Sequence, residues 1–408
     1  MRTLILLALA ALLAASSLAG QQAPEMRSVT VAQLEQFLND ESNGWDKPVA
    51  RQLAEMKLTE RLSDAEEARL EKLVPGKQSR LALLALADES AFLDPPASQI
   101  PNRPPPSSGE QAALISKTVA YATEVMHLLP NLLAERTTVW FVGTPNTISP
   151  DLHTALFQAN LRQPRSDGRL ATTGTTRAEV FYRGGQEGYV NPADQHVECS
   201  YQIGSNAWGE FGDVLGRVAD AMTHGTVTWG HWEQSSAGPL AVFAYQADLT
   251  YKFPTFCSGQ TQLPPVQVHA QGEIAVNPAD GSVLRVTEMW SYTVSSIAGW
   301  KPFTQEQKTA VEYAAQKIGD RTYLCPRRST SLSLYPYFPP ASGGIMGLIY
   351  SSEGLDPMSR FGLAAEPTIE NINDITFRDY HLFRATVRIL PDGATRAPQP
   401  DPETHPQR

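Results

Sequence analysis

Apolar residues recur along this chain with two different periods, and the change of period divides it. Between residues 28 and 93 the spacing is helical. Val31, Leu34, Phe37 and Leu38 follow a capping box of Thr30 with Gln33. Val49, Leu53 and Met56 follow Asp46, with Pro48 tolerated in the first turn. Leu70 and Leu73 follow a second box, Ser63 with Glu66, and after the Pro75-Gly76 break Ser79 to Phe92 reads as a fourth helix. Four short amphipathic helices joined by tight turns predict a small all-α N-terminal module. Asp94 to Gly109 then carries Pro95, Pro96, Pro101, Pro104, Pro105 and Pro106, and reads as a semi-rigid extended linker. Ser108 caps a long helix expected over 109–135, striped with Leu114, Val119, Met126 and Leu129, with Pro130 near its end.

From Thr137 the period becomes two. Thr137 to Val142, Ala178 to Tyr182 and Gln186 to Val190 read as strands, the last two joined at Gly184-Gly185. One helix interrupts, Gly209 to Met222, with Phe211, Val214, Leu215 and Val218 on one side. A meander follows: Thr226–Gln234 with Leu240–Tyr251, Gly272–Val276 with Ser282–Tyr292, and Ala310–Ala315 with Thr322–Leu334. Ile375 to Ile389 is expected as a final strand. Turn residues recurring about every 8–14 positions, without βαβ alternation, predict an α+β domain over 110–390 built on a large, curved, half-barrel-like antiparallel sheet. Asn-Pro-Ala-Asp occurs at 191–194 and again at 277–280, which turn chemistry explains better than internal duplication. The tail, 391–408, is proline-rich and polar and is expected to be disordered.

Several strands are apolar on both sides. Val139 and Phe141 alternate with Trp140 and Val142; Leu240, Val242 and Ala244 alternate with Ala241, Phe243 and Tyr245; Trp229 and Trp232 fall on opposite faces by simple alternation. A sheet apolar on both faces must be covered on both. The two longer helices can cover one. The second falls to the N-terminal module, to the 335–368 segment, or to a bound apolar ligand, for which Trp140, Trp229, Trp232, Phe243 and Tyr245 are candidate lining residues.

The chemistry of the remaining residues narrows the function by exclusion. Among 408 residues the formal net charge is −10, which disfavours nucleic acid and anionic membranes as partners. Residues 1–20 have the form of a secretory signal: Arg2, the apolar run Leu4 to Leu13, then Ser17-Leu18-Ala19-Gly20. Its removal would leave an exported protein, periplasmic or extracellular, with no integral membrane segment. The three cysteines, Cys199, Cys257 and Cys325, form no Cys-x-x-Cys motif. One disulfide, Cys257 to Cys325, is the pairing expected, with three buried thiols as the alternative. No hydrolase, zincin, phosphate-loop or dinucleotide signature occurs, and no cofactor is implied. Gly209, Gly212 and Gly216 are expected to serve close packing. His231 and Glu233 share a strand face and offer a weak metal or acid–base pair lacking a third ligand. Tyr380-His381 and Cys199 have no supporting motif.

The long helix, meander, interrupting helix and the hairpin Gly272–Val276 to Gly281–Arg285 resemble, in element order over 110–335, the periplasmic lipoprotein carriers of the outer-membrane sorting type. That resemblance implies a curved sheet sheltering acyl chains. Trp208–Gly212, Val227–Gln234 and Tyr323–Pro326 look more like an uncharacterised family of exported bacterial proteins, from which no activity carries over. The combined expectation is a non-enzymatic binder of an apolar, lipid-like ligand. A metal-assisted hydrolase using His231 and Glu233, and a protein-interaction scaffold docking partners through its helical module, are the alternatives.

Overall fold

The Thr30 capping box forms reciprocally. Thr30 Oγ1 accepts from the Gln33 amide at 3.2 Å, and Gln33 Oε1 accepts from the Thr30 amide at 2.9 Å. It opens α1 (Val31–Asp40), which is followed by α2 (Asp46–Leu53), α3 (Asp64–Leu70) and α4 (Lys77–Ser90). These ranges come from a computed structural model that describes residues 26–143, 169–201, 208–236, 238–251, 265–294, 303–336 and 368–383. Asp46 does not cap its own helix. Its carboxylate accepts from the Gln78 and Ser79 amides at 3.0 and 2.8 Å, so it satisfies the open N-terminus of α4 and ties α2 to it. Leu34, Leu38, Val49, Leu53, Leu70 and Leu83 form the buried centre of the module.

The module is not purely helical, as the sequence pattern had implied. β1 (Arg27–Val29) and β2 (Met56–Leu58) pair in parallel, and Met56 belongs to β2 rather than to a helix face. Segments of three residues are too short to carry a periodicity signal. The proline-rich stretch after α4 is also packed rather than free. Pro95 and Pro96 are buried, Gln99 donates to Glu66, and the Pro104 carbonyl accepts from Trp232 Nε1 at 2.8 Å.

The long helix, α5 (Ser108–Leu128), ends before Pro130, and residues expected to extend it instead begin β3 (Leu132–Gly143). Proline removes an amide donor and biases its predecessor out of the helical region, which sets that boundary. β4 (Ala171–Arg183) and β5 (Gln186–Tyr189) follow, then α6 (Pro192–Tyr201) and α7 (Asp213–His224). α6 has no counterpart in the apolar pattern; its N-terminus is the first Asn-Pro-Ala-Asp, whose Asn191 Oδ1 accepts from the Ala193 amide at 3.0 Å. At the second copy Asn277 Oδ1 accepts from Ala279 at the same distance, in the turn before Gly281. The repeat is a shared turn in two unrelated settings.

The meander comprises β6 (Thr226–Ser235), β7 (Gly238–Tyr251), β8 (Val266–Val276), β9 (Val283–Val294), β10 (Phe303–Ile318), β11 (Arg321–Pro336) and β12 (Thr368–Leu382). The sheet runs in the order β5-β4-β3-β12-β11-β10-β9-β8-β7-β6, with every neighbour antiparallel. β3 therefore joins the sheet beside the last strand, while β5 and β6 are its edges. One face packs under α5 and α7, with Leu114, Ala122, Val214, Leu215 and Val218 against Phe243, Tyr245, Ile274, Val286 and Val311. The other takes the module on its β3–β12–β11 part: Leu81, Leu84, Ala85 and Phe92 lie on Val139, Phe141, Leu332 and Ile372. The two-sided apolar pattern is thus met largely by the chain's own elements. Residues 1–20, 337–367 and 391–408, with the expectations placed on them, lie outside the described residues. Among the described residues no helix is long and apolar enough to cross a membrane.

Candidate functional site

Strand register decides what each face can offer. Thr228, Ala244, Glu273, Thr287 and Ala310 lie opposite one another across β6 to β10, and Thr226, Gln246, Gln271, Met289 and Lys308 form the next row. Directly opposed residues on antiparallel strands share a face. These rows lie on the module's side of the sheet but beyond the part that α4 covers. Between them and the Ala91–Asp94 segment after α4 is a cleft of about 400 Å³. Its floor is Thr226, Thr228, Ala244, Gln246, Gln271, Gly272, Glu273, Thr287 and Met289, and Arg61, Phe92, Leu93 and Asp94 wall it from above. A second cavity of about 430 Å³ adjoins it, sharing Gln271 and Met289 and extending to His269, Ser291, Glu306 and Lys308.

The aromatic residues expected to line a hollow lie mostly elsewhere. Trp140 is fully buried on the helix-covered face, where its Nε1 donates to Thr176 Oγ1 at 3.2 Å. That hydroxyl belongs to a buried polar group formed with Glu198, Tyr189 and Arg136, whose guanidinium donates to Glu198 at 2.8 Å. Trp229 and Trp232 do not point to opposite faces. A bulge between Trp229 and His231 inserts Gly230, so both rings lie on one side, edge to face at 5.0 Å, with Trp229 also meeting Phe243 at 5.5 Å. Arg103 from the proline-rich segment sits 4.0 Å over the Trp232 ring. Trp232 and Phe243 are therefore packed interior. Tyr245 also lies on the helix-covered face and is 3% exposed, its ring over Gly272 directly opposite, where its hydroxyl donates to the Thr287 carbonyl at 3.3 Å.

His231 and Glu233 do share the module-facing side, but Glu233 is committed to other partners. Arg285 donates to both its oxygens, at 2.6 and 2.8 Å, and Arg61 of the module reaches Oε2 at 2.6 Å. His231 Nε2 stands 3.6 Å away. Burial opposes ionisation here, yet His231, Arg285 and Arg61 prevail and hold the Glu233 carboxyl below the ordinary carboxylate range. Both oxygens of this carboxylate are already engaged by guanidiniums, and among the described residues no group of three or more metal-ligating side chains forms. Glu233 is a structural tie between module and sheet, and the weak metal or acid–base alternative gains no support from this geometry.

A second tie lies further along the same face. Arg328 on β11 donates to Asp64 at 3.0 Å, to Asp88 at 2.7 Å, to Asp374 at 2.6 Å, and to Glu67. Asp64, Glu67 and Asp88 belong to the module. Burial, reinforced by Asp374, pushes the Asp88 carboxyl well above its ordinary range against the pull of Arg328. Burial likewise raises Glu67. Neither tie was foreseen: Glu233 stood out only beside His231, and Arg61, Asp88, Arg285 and Arg328 look in sequence like scattered surface charges.

Cys325 is a buried free thiol, so the expected Cys257–Cys325 bond is not formed. The Cys325 strand segment packs with Ile318, Phe377 and Ile375; Cys257 lies outside the described residues. Burial pushes the Cys325 thiol up to about 12, far from a reactive thiolate. Comparison of the chain with family models, curated proteins and solved structures returns no match. The likeness to lipoprotein carriers therefore rests on element order alone.

Proposed function

We propose that this chain is a non-enzymatic binding protein of the exported space, holding an amphiphilic, lipid-like ligand in the cleft between the helical module and the open part of the sheet. The cleft carries this reading. It places Ala244, Met289, Phe92 and Leu93 beside Gln246, Gln271, Glu273 and Thr287, so one concavity presents both apolar and hydrogen-bonding groups. Removal of the ligand's apolar surface from water would drive binding, with the polar groups fixing its orientation. The hydrolytic alternative loses support from the double engagement of Glu233. The scaffold alternative loses support from the module's buried attachment to the sheet.

Native mass spectrometry of the protein purified from its host tests the proposal. A co-purifying amphiphile is expected in the wild type. It should be lost in Ala244→Trp, which fills the floor of the cleft, while circular dichroism and Tm stay close to wild type. Repeatedly empty spectra, or a ligand retained undiminished by Ala244→Trp, would remove the proposal.

A further inference from the structure

We propose that the cleft selects an amphiphile with a cationic, ammonium-type head, held by Glu273. The inference rests on the cleft being the binding site and adds the chemistry of what enters it. Three charged side chains reach the cleft: Arg61, Asp94 and Glu273. Arg61 is spent, because its side chain is only 6% exposed and its guanidinium is bound to Glu233 at 2.6 Å. Glu273 is different. Its side chain is 27% exposed, and its nearest cation, Arg285 at 3.8 Å, already donates to both oxygens of Glu233. No side chain or amide among the described residues donates a hydrogen bond to the Glu273 carboxylate. It is a partly exposed acceptor on the floor of a concavity, in an ion pair with Arg285 but with no hydrogen-bond donor among the described residues.

Its surroundings suit an ammonium group. The Glu273 amide donates to Thr287 Oγ1 at 2.9 Å, which fixes the residue's backbone on the floor. Gln271 and Gln246 lie one row along, directly opposite each other, and offer side-chain carbonyls to the remaining N–H donors. Asp94 stands exposed at the rim, its own carbonyl accepting from the Arg61 amide at 2.8 Å, and adds a second negative charge at the entrance. An anionic head would meet two carboxylates and no free cation among the residues lining this cleft. The apolar chain would lie along Ala244, Met289 and Phe92 toward the adjoining cavity.

Three probes of equal chain length separate the possibilities: octylammonium, octanol and octanoate, titrated into the full-length protein by calorimetry. Octylammonium is expected to bind roughly tenfold more tightly than octanol, the worth of a charge-assisted hydrogen bond in a partly exposed site, and octanoate more weakly than either. Glu273→Gln should bring octylammonium down to the level of octanol and leave octanol unchanged. Equal binding of all three, or preference for octanoate, would overturn the ammonium assignment while leaving the cleft reading intact. Binding of none would overturn both. If Glu273→Gln fails to fold, the order of the three probes on the wild type still decides.

Discussion

Glu233 shows how much of this fold rests on single charged groups. Truncating it leaves Arg61 and Arg285 facing one another in a buried site. Breaking a buried pair in this way costs about 3–5 kcal/mol, so Glu233→Ala should lower Tm sharply in calorimetry; a shift of a degree or less would show that the tie contributes nothing. Cys325 makes the opposite point, being chemically inert because it is buried. Native alkylation should leave it unmodified. If the protein is exported, cysteine arithmetic leaves Cys199 with Cys257 as the remaining intrachain pair, and peptide mapping should recover that bridge beside a free Cys325. A Cys325-containing disulfide would contradict both statements. A buried thiol at Cys325 was one of the two alternatives the sequence left open, whereas Glu233 carries in sequence no sign of the guanidiniums that surround it.

At the level of elements, α4 is where chemistry and packing meet. Its half-buried Glu89 has a carboxyl raised to about 8, first by burial and then by Glu370 on β12, against the pull of Lys57. A carboxyl raised on folding holds a proton that the unfolded chain has already lost between about 4.5 and 8, so stability falls as pH rises through that window. Asp88 and Glu67 are shifted in the same direction. Tm is therefore expected to be higher at pH 6 than at pH 8, and Glu89→Gln should reduce that difference by stabilising the protein at pH 8. A Tm that climbs from pH 6 to pH 8 would show the sign to be wrong. Glu233 sets the limit on the acid side: its lowered pKa contributes stability that disappears as pH falls through its folded value. The helices were largely readable, since their apolar spacing and the Thr30 box are local signals. The bulge at Gly230 was not. One inserted residue reverses the face of everything beyond it, which is why alternation put Trp229 and Trp232 on opposite sides.

For the whole molecule, the decisive relation is between the module and the sheet. Leu81, Leu84, Ala85 and Phe92 cover Phe141, Leu332 and Ile372, and the module supplies carboxylates to Arg328 and a guanidinium to Glu233. Removing residues 26–107 would expose that apolar surface and strand Arg328 without three of its partners. The truncated sheet domain is expected to aggregate, or to bind a hydrophobic dye strongly, on size-exclusion chromatography. A soluble, monomeric, dye-silent domain would mean that the module is an appended unit and not a cover. The same geometry creates the cleft, because α4 covers only part of the face and its C-terminal segment overhangs the remainder.

Local chemistry in the chain was enough to specify the helical module, the antiparallel meander and the need for cover on both sides of the sheet, because periodicity, caps and turns act over a few residues. It was not enough to say what would provide that cover. Asp64 and Arg328 meet across more than two hundred and sixty positions, and the floor of the cleft draws one or two residues from each of several strands. Such encounters depend on register, on a one-residue bulge and on which helix reaches the sheet. They exist only once the chain has folded back upon itself.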